Sequence, residues 1–378
     1  MRLRRMFSKM QKKPKVAFIH PAVGESLGGS QVFVLELAQR LKDKCDITIF
    51  SAKRENDLCK PVFSLSRRNK KYGNSFLYNI LHKALSKQAA TPDIVIEHIT
   101  SFFPLLFRLL FGKYDVIFPN NDWGGLLVAS AVRQIKGTSI MFTEHNGYLE
   151  RGKIAARNLK FKPNKYIALS EEFKFWVKKY YPDIDVKYIP NGVDFDKFNP
   201  EGTVANIDLP GPIILTAARY QRNKRLELVI DAVANLNQGS LLVLTSGDNI
   251  ESLNQYGKHN LGDRFKLMSV PYDEMPSYYR ACDVFTLPSM YEPFGLVYLE
   301  AMACNKPVVA PDDLSRTDIV GDAGILCDVS DIEEYANSLK IALNGDFADI
   351  PYNQARKYTW QKCSEQYYKV IKSLISAN

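Results

Sequence analysis

Short, continuous apolar runs that alternate with helical stretches, in two successive series, constrain this chain more than any other feature. The first series opens at Lys15–His20 (KVAFIH), followed by a glycine-containing turn, Gly24–Gly29, and a helix-like stretch from Ser30 to Leu41. Similar runs follow at Asp46–Ser51, Asp93–Glu97, Asp115–Pro119, Ser139–Glu144, Lys165–Ser170 and Val186–Pro190. After Asn191-Gly192 and a Pro/Gly-containing stretch to Gly211, the alternation restarts at Pro212–Ala217. It continues through Leu241–Ser246, Arg264–Val270, Asp283–Pro288, Pro307–Pro311 and Gly324–Asp328. Wholly apolar strands separated by helices read as parallel strands covered on both faces, since a parallel connection needs a crossover that lies on the sheet.

The expected fold is α/β, with two Rossmann-like domains whose parallel sheets face an interdomain cleft. A chain of 378 residues can bury two such cores. The boundaries expected are a basic arm at 1–14, an N-terminal domain at 15–190, a linker at 191–211 and a C-terminal domain at 212–351. One long terminal helix is expected from Tyr352 to Ser376, within 352–378, free to pack on either domain. Six scattered cysteines lack metal-ligand spacing and fit a reducing, cytoplasmic setting. No secretory signal core is read in the first residues, and no run is read as long enough to span a bilayer.

Net charge +9 conceals an asymmetry: residues 1–190 hold 33 Lys+Arg against 16 Asp+Glu, whereas 191–378 hold 17 against 25. The N-terminal half therefore suits an anionic partner, whether a phospholipid surface, a polyanionic acceptor or nucleic acid, and equally a plain soluble surface. In the arm, Leu3, Met6, Phe7 and Met10 recur at helical spacing among seven basic residues between Met1 and Lys15. That is the pattern of a peptide lying on an anionic membrane, which would bring the protein to the inner membrane face; disorder is the alternative. The run Ile99–Phe111, with Phe102, Phe103, Phe107 and Phe111, is expected to be a buried core helix.

Open α/β sheets bind ligands at the carboxyl ends of their strands. The most informative stretch there is Ser289–Pro311 (SMYEPFGLVYLEAMACNKPVVAP), which follows an apolar strand and sets Glu292 and Glu300 eight residues apart around a Pro-Phe-Gly turn. Were all eight helical, the carboxylates would lie about 12 Å apart along the axis. The backbone N–H groups of Phe294, Gly295 and Leu296 would start the helix unpaired and could meet a phosphate or sugar oxygen. By spacing alone, a dipole-compensating Glu292 and a solvated Glu300 are the more ordinary reading.

The whole stretch resembles the E-x7-E donor motif of the family 4 retaining glycosyltransferases, which have the GT-B fold. Further similar pieces occur in order: Gly28-Gly29, Thr143-Glu144-His145, Ile189 to Asp194, Ala218-Arg219 with Lys224, and Gly321-Asp322-Ala323-Gly324. Ala218, Arg225 and Asn305 depart from the pattern, standing where the family often has glycine. The resemblance implies a hexosyltransferase that takes a nucleoside-diphosphate sugar, UDP- or GDP-linked, and glycosylates a hydroxyl of a glycan or lipid-linked acceptor. It implies retained anomeric configuration; no cofactor and no nucleic-acid partner are expected, and the expectation that no metal is needed rests on the residues themselves. Glu292 inherits contact with the transferred sugar and Glu300 with the ribose.

Arg219 closes a strand and Lys224 follows five residues later, so both could neutralise a departing diphosphate in place of a divalent metal. His145, at another strand end, could reach a sugar hydroxyl. Gly28 and Gly29 would let backbone approach the ligand closely. Asp183-Ile184-Asp185 and Asp194-Phe195-Asp196 are read as structural rather than as metal sites. An NAD-dependent dehydrogenase is the alternative enzyme, but the turn Gly24–Gly29 is not G-x-G-x-x-G. A non-catalytic nucleotide-sugar or polyanion binding protein is the non-enzymatic alternative.

Overall fold

The computed structural model describes residues 12–24, 28–65, 76–85, 92–120, 123–145, 152–236, 238–247 and 249–377. Most of the basic arm lies outside them. The N-terminal half contains β1 (Lys15–Ile19), α1 (Gly29–Leu41), β2 (Asp46–Ser51), β3 (Cys59–Pro61), α2 (Phe76–Leu85) and α3 (Pro92–Gly112). It continues with β4 (Val116–Pro119), α4 (Trp123–Lys136), β5 (Ser139–Thr143), α5 (Lys153–Leu159), β6 (Lys165–Ala168), α6 (Glu171–Tyr180) and β7 (Val186–Tyr188). Its strands form a sheet in the order β3-β2-β1-β4-β5-β6-β7, and each named pair is parallel, as in the register Val16↔Ile47 and Val16↔Val116.

The C-terminal half begins with β8 (Ile213–Ala217), a 3₁₀ turn at Arg222–Lys224, α7 (Leu226–Leu236), β9 (Ser240–Leu244), α8 (Ile250–Leu261) and β10 (Phe265–Met268). There follow α9 (Met275–Ala281), β11 (Val284–Thr286), α10 (Leu296–Ala303), β12 (Val308–Pro311), α11 (Leu314–Val320), β13 (Gly324–Cys327) and α12 (Ile332–Asn344). Their parallel sheet runs β10-β9-β8-β11-β12-β13. In both sheets the strand order reverses beside the first strand, at β1/β4 and β8/β11, and such a reversal opens a crevice outside the strand ends. Strands β4, β5, β8, β9, β11 and β12 are buried along their whole length, which is why they read as uninterrupted apolar runs.

Four expectations need correction. Asp93–Glu97 is not a strand but the start of α3: Pro92 fits the first helical turn, where a missing N–H costs nothing. The seventh strand is instead the three-residue β3, too short and too polar to stand out. The terminal helix is two, α13 (Ile350–Ala355) and α14 (Trp360–Ser376), separated where the Thr359 side chain accepts the Lys362 N–H at 3.1 Å and caps α14.

The last corrections concern α3, which alone among the described helices is long and apolar enough to cross a membrane by length and composition. Three of its four phenylalanines are not core: Phe103 is 62%, Phe107 54% and Phe111 81% exposed, while Phe102 packs partly buried against the N-terminal core. The helix is held by its other side, where Ile96, Leu105 and Leu109 are buried.

The two halves are tied together twice. The chain leaves the N-terminal sheet beside the point where it returns, and Val193 pairs with Thr359 there while the Val193 N–H donates to Tyr358 O at 3.1 Å. Gly192 allows the crossing, since a Cβ on it would lie 2.1 Å from the Trp360 backbone nitrogen. Helix α14 then packs against α1 and supplies Trp360, Tyr367, Val370, Ile371 and Leu374 to the N-terminal core. Each such side chain stabilises by about 1.5–3 kcal/mol when fully buried.

Candidate functional site

Residues that follow β1 and residues that follow β8 line the crevice from its two sides. Gly28 caps α1 without a side chain, and a Cβ on Gly29 would lie 3.9 Å from Leu296 Cδ1 of the opposite half. Between them is a cavity of about 520 Å³, lined by Gly28, Gly29 and Val32 on one side and by Arg219, Ser246, Gly247, Tyr272, Leu296 and Glu300 on the other. Arg219 is exposed there, and no hydrogen bond or ion pair from its guanidinium is found among the described residues. Apolar Val270, Pro271 and Met275 line one part of the wall, the mixture expected where a flat ring and a polar sugar bind together.

Glu300 lies on α10 and is 5% exposed. It accepts hydrogen bonds from the hydroxyls of Tyr272 at 3.0 Å and Tyr279 at 2.9 Å. Burial raises its pKa above the ordinary carboxylate value, with the tyrosine bonds opposing the shift. The same carboxylate and burial push both tyrosine hydroxyls up, burial being the larger cause. The tyrosines escape a sequence reading because Tyr272 precedes α9 and Tyr279 lies within it, and only the fold brings both to Glu300.

Glu292 precedes α10 instead of sharing it, so the carboxylates are not joined by a continuous helix. The loop after β11 carries Tyr291 and Gly295 in left-handed conformation, at φ 59° and 82°. A Cβ on Gly295 would also lie 2.5 Å from the Tyr298 ring and 3.2 Å from Glu292 Cγ, so glycine is required on two counts. The Glu292 carboxylate pairs with Lys224 and accepts from the Ser289 hydroxyl at 3.0 Å. Burial favours its neutral form, but the ammonium of Lys224 and the nearby Arg316 outweigh that and hold its pKa below the usual range. The Phe294 side chain is core, 2% exposed, leaving only its backbone for a ligand.

Arg316 is 2% exposed and went unseen in the sequence, where nothing separates it from other arginines on helices. It donates to the Ser289 carbonyl and pairs with Asp313, the cap of α11. It thereby holds the loop that presents Glu292. Arg225 donates from Nε to Pro288 O at 2.7 Å on the same loop. Arg225 and Asn305, two of the departures from glycine, have φ of 51° and 60°, the left-handed backbone that favours glycine, and each side chain is anchored by hydrogen bonds.

These residues border a second cavity, also of about 520 Å³, between the halves. Glu144, Ser170, Glu172 and Phe173 face Arg225, Tyr291, Glu292 and Asp313 across it. The halves touch at its edge, where the Ser315 hydroxyl donates to Glu172 Oε2 at 3.0 Å. The structure thus divides the expected site. Gly28, Gly29, Arg219, Leu296 and Glu300 line one cavity and Glu292 the other, with Lys224 bonded to Glu292.

His145 lines neither cavity. It follows β5, with its ring centroid 4.7 Å from that of Phe33, and burial, aided by His20, pushes its pKa down to about 3. It is therefore held in its neutral form. Of the two Asp-x-Asp pairs, Asp185 is bound to Lys165 and Asp194 lies 3.3 Å from Arg40. Among the described residues, no group of three or more His, Cys, Asp or Glu is placed to hold a metal ion.

Two doubly wound domains with a crevice lined from both sides are the architecture of the GT-B fold. The sucrose-phosphate synthase of Thermosynechococcus elongatus superposes with a TM-score of 0.75 at 23% identity, covering 97% of this chain and 100% of that one. The Anabaena HepE protein in complex with UDP-glucose superposes with a TM-score of 0.68 at 17% identity, covering 95% and 99%. Residues 27–197 match the model of Glycosyltransferase Family 4 and residues 202–361 that of glycosyl transferases group 1, and the chain belongs to this family.

Among characterised relatives, O-antigen chain mannosyltransferase B of Escherichia coli is 36% identical over 110 residues, 28% of this chain and 29% of that protein. The alpha-maltose-1-phosphate synthase of Mycolicibacterium smegmatis is 27% identical over 386 residues, 91% and 92%. The chain thus spans under a third of the first and nearly all of the second. Family membership sets aside the dehydrogenase alternative.

Proposed function

We propose that the protein transfers a hexosyl unit from a UDP- or GDP-linked sugar to a hydroxyl of a glycan or lipid-linked acceptor, with retention and without a divalent metal. The observation that carries this reading is the first cavity, where backbone of Gly28 and Gly29 faces Arg219 and the tyrosine-held carboxylate of Glu300. Residues 15–190 serve as the acceptor domain and 212–351 as the donor domain, joined by 191–211.

In this reading Glu300 accepts the ribose hydroxyls, its remaining lone pairs being available beside the two tyrosine bonds. The diphosphate lies against Arg219 and the Gly28-Gly29 backbone. Lys224 has three N–H donors; one goes to Glu292 and the others meet the leaving phosphate as its charge grows. Glu292, kept ionised by Lys224, accepts from hydroxyls of the transferred sugar, with the backbone N–H groups of Phe294, Gly295 and Leu296 beside it. The acceptor enters by the second cavity, whose carboxylates and Phe173 suit a polyhydroxylated ring. Its hydroxyl oxygen bonds to the anomeric carbon on the face the diphosphate leaves, and a phosphate oxygen takes the proton.

Product anomeric configuration followed by NMR in EDTA tests the reading: retained configuration and full activity are expected. An inverted product overturns the mechanism, and activity lost in EDTA but restored by magnesium or manganese overturns the role of Arg219 and Lys224.

A further inference from the structure

The outer face of α3 carries Ile99, Phe103, Phe107 and Phe111, four residues apart and 54–81% exposed. Successive steps of four keep side chains on one face, and the stripe runs about 18 Å along the helix. Helix α2 packs against α3 through a small cluster of Tyr78 and Ile96 and adds exposed Phe76, Leu77 and Ile80. Such a concentration of large apolar side chains on one surface marks an interaction site.

We infer that the α2–α3 face docks the protein on an anionic lipid bilayer, with the phenylalanines in the headgroup–acyl boundary and the surrounding basic residues on lipid phosphates. The charge chooses this occupant. Among the described residues of 60–113, the exposed Lys60, Lys83, Arg108 and Lys113 stand against two carboxylates, of which Asp93 is half-buried and Glu97 buried. Asp93 is bonded to the Tyr78 hydroxyl and lies 3.7 Å from His82, and Glu97 is 2% exposed. A second copy of the chain would bring two such basic faces together, which repels.

The helix lies on the bilayer and does not cross it. Its inner side carries buried Glu97 and His98, and the His98 ring occupies the space a Cβ on Gly124 would need, 2.3 Å away. Insertion would strip these groups from the sheet into hydrocarbon. Glu97 and Leu105 also border a small cavity with Ile19 and Phe50, near the carboxyl ends of β1 and β2, so docking brings the N-terminal wall of the cleft towards the headgroups. The inference stands apart from the transfer chemistry.

The test is co-sedimentation of the full chain with vesicles of phosphatidylcholine alone and of an equimolar mixture with phosphatidylglycerol. Wild type should partition onto the anionic vesicles, less so at high salt. Phe103→Ser/Phe107→Ser/Phe111→Ser should lose at least about tenfold in partitioning, with unchanged melting and unchanged nucleotide binding. Ile341→Ser, an exposed apolar position in the other half, should bind as wild type, as should a chain lacking residues 1–14. Equal partitioning of the triple variant, or binding abolished by removing the arm alone, overturns the inference. So does lipid-free dimerisation that the triple variant abolishes, which would make a second copy the occupant.

Discussion

Replacing Lys224 by Met probes the pair that joins the two cavities. The side chains of Lys224 and Glu292 are only 18% and 13% exposed. Two unit charges about 4 Å apart at an effective dielectric near 20 attract by about 4 kcal/mol, and breaking a buried pair from one side typically costs about 3–5 kcal/mol. Ser289 and Arg316 remain on Glu292 and offset part of this, leaving an expected loss of about 2–4 kcal/mol at pH 7. For a domain of this size that lowers the melting temperature by about 5–10 °C.

The pH dependence follows from the depressed pKa of Glu292. A carboxyl held below its unfolded value of about 4.3 contributes stability above that pH and loses it as pH falls through the folded value. The gap between wild type and variant should therefore be full at pH 7 and close progressively below about pH 4. Thermal unfolding by circular dichroism at a series of pH values measures it. A gap of the same size at pH 3.5 as at pH 7, or none at pH 7, would refute the argument. Adding Glu292→Met should restore much of the stability, since the uncompensated charge is gone.

Two further outcomes are expected. Tyr272→Phe removes one donor from Glu300, raises that carboxyl further, and should weaken nucleoside diphosphate binding by about three- to tenfold, the charge-assisted bond being worth around 1 kcal/mol. Calorimetry should show affinity failing at higher pH than in wild type as the solution is acidified. Gly192→Ala places a Cβ against the Trp360 backbone, and urea unfolding should show a loss of at least about 3 kcal/mol, as for other overpacked sites with no flexible neighbour.

Much of the architecture is legible in the sequence because buried parallel strands have no polar face to conceal them. The mistaken strand, Asp93–Glu97, has the right residues for a strand; what decides it is the apolar run continuing without a turn to Gly112, the length of a helix. The exposure of Phe103, Phe107 and Phe111 defeats the usual equation of apolar with buried. At the site, Glu292 and Glu300 stand out through their motif, whereas Tyr279 reaches Glu300, and Arg316 the loop that presents Glu292, by contacts no local pattern announces. Arg225 and Asn305 look like departures, yet both take the left-handed backbone that favours glycine.

The return of the chain into its first domain has a consequence for synthesis. A ribosome that has delivered residues 15–190 has not yet delivered α14, so the slot for Trp360, Tyr367 and Ile371 stands open. The C-terminal sheet, drawn from one continuous stretch, can close first. The N-terminal half, begun first, is completed last, and until then an apolar groove along α1 and β4 is offered to whatever chaperone or neighbouring nascent chain is at hand.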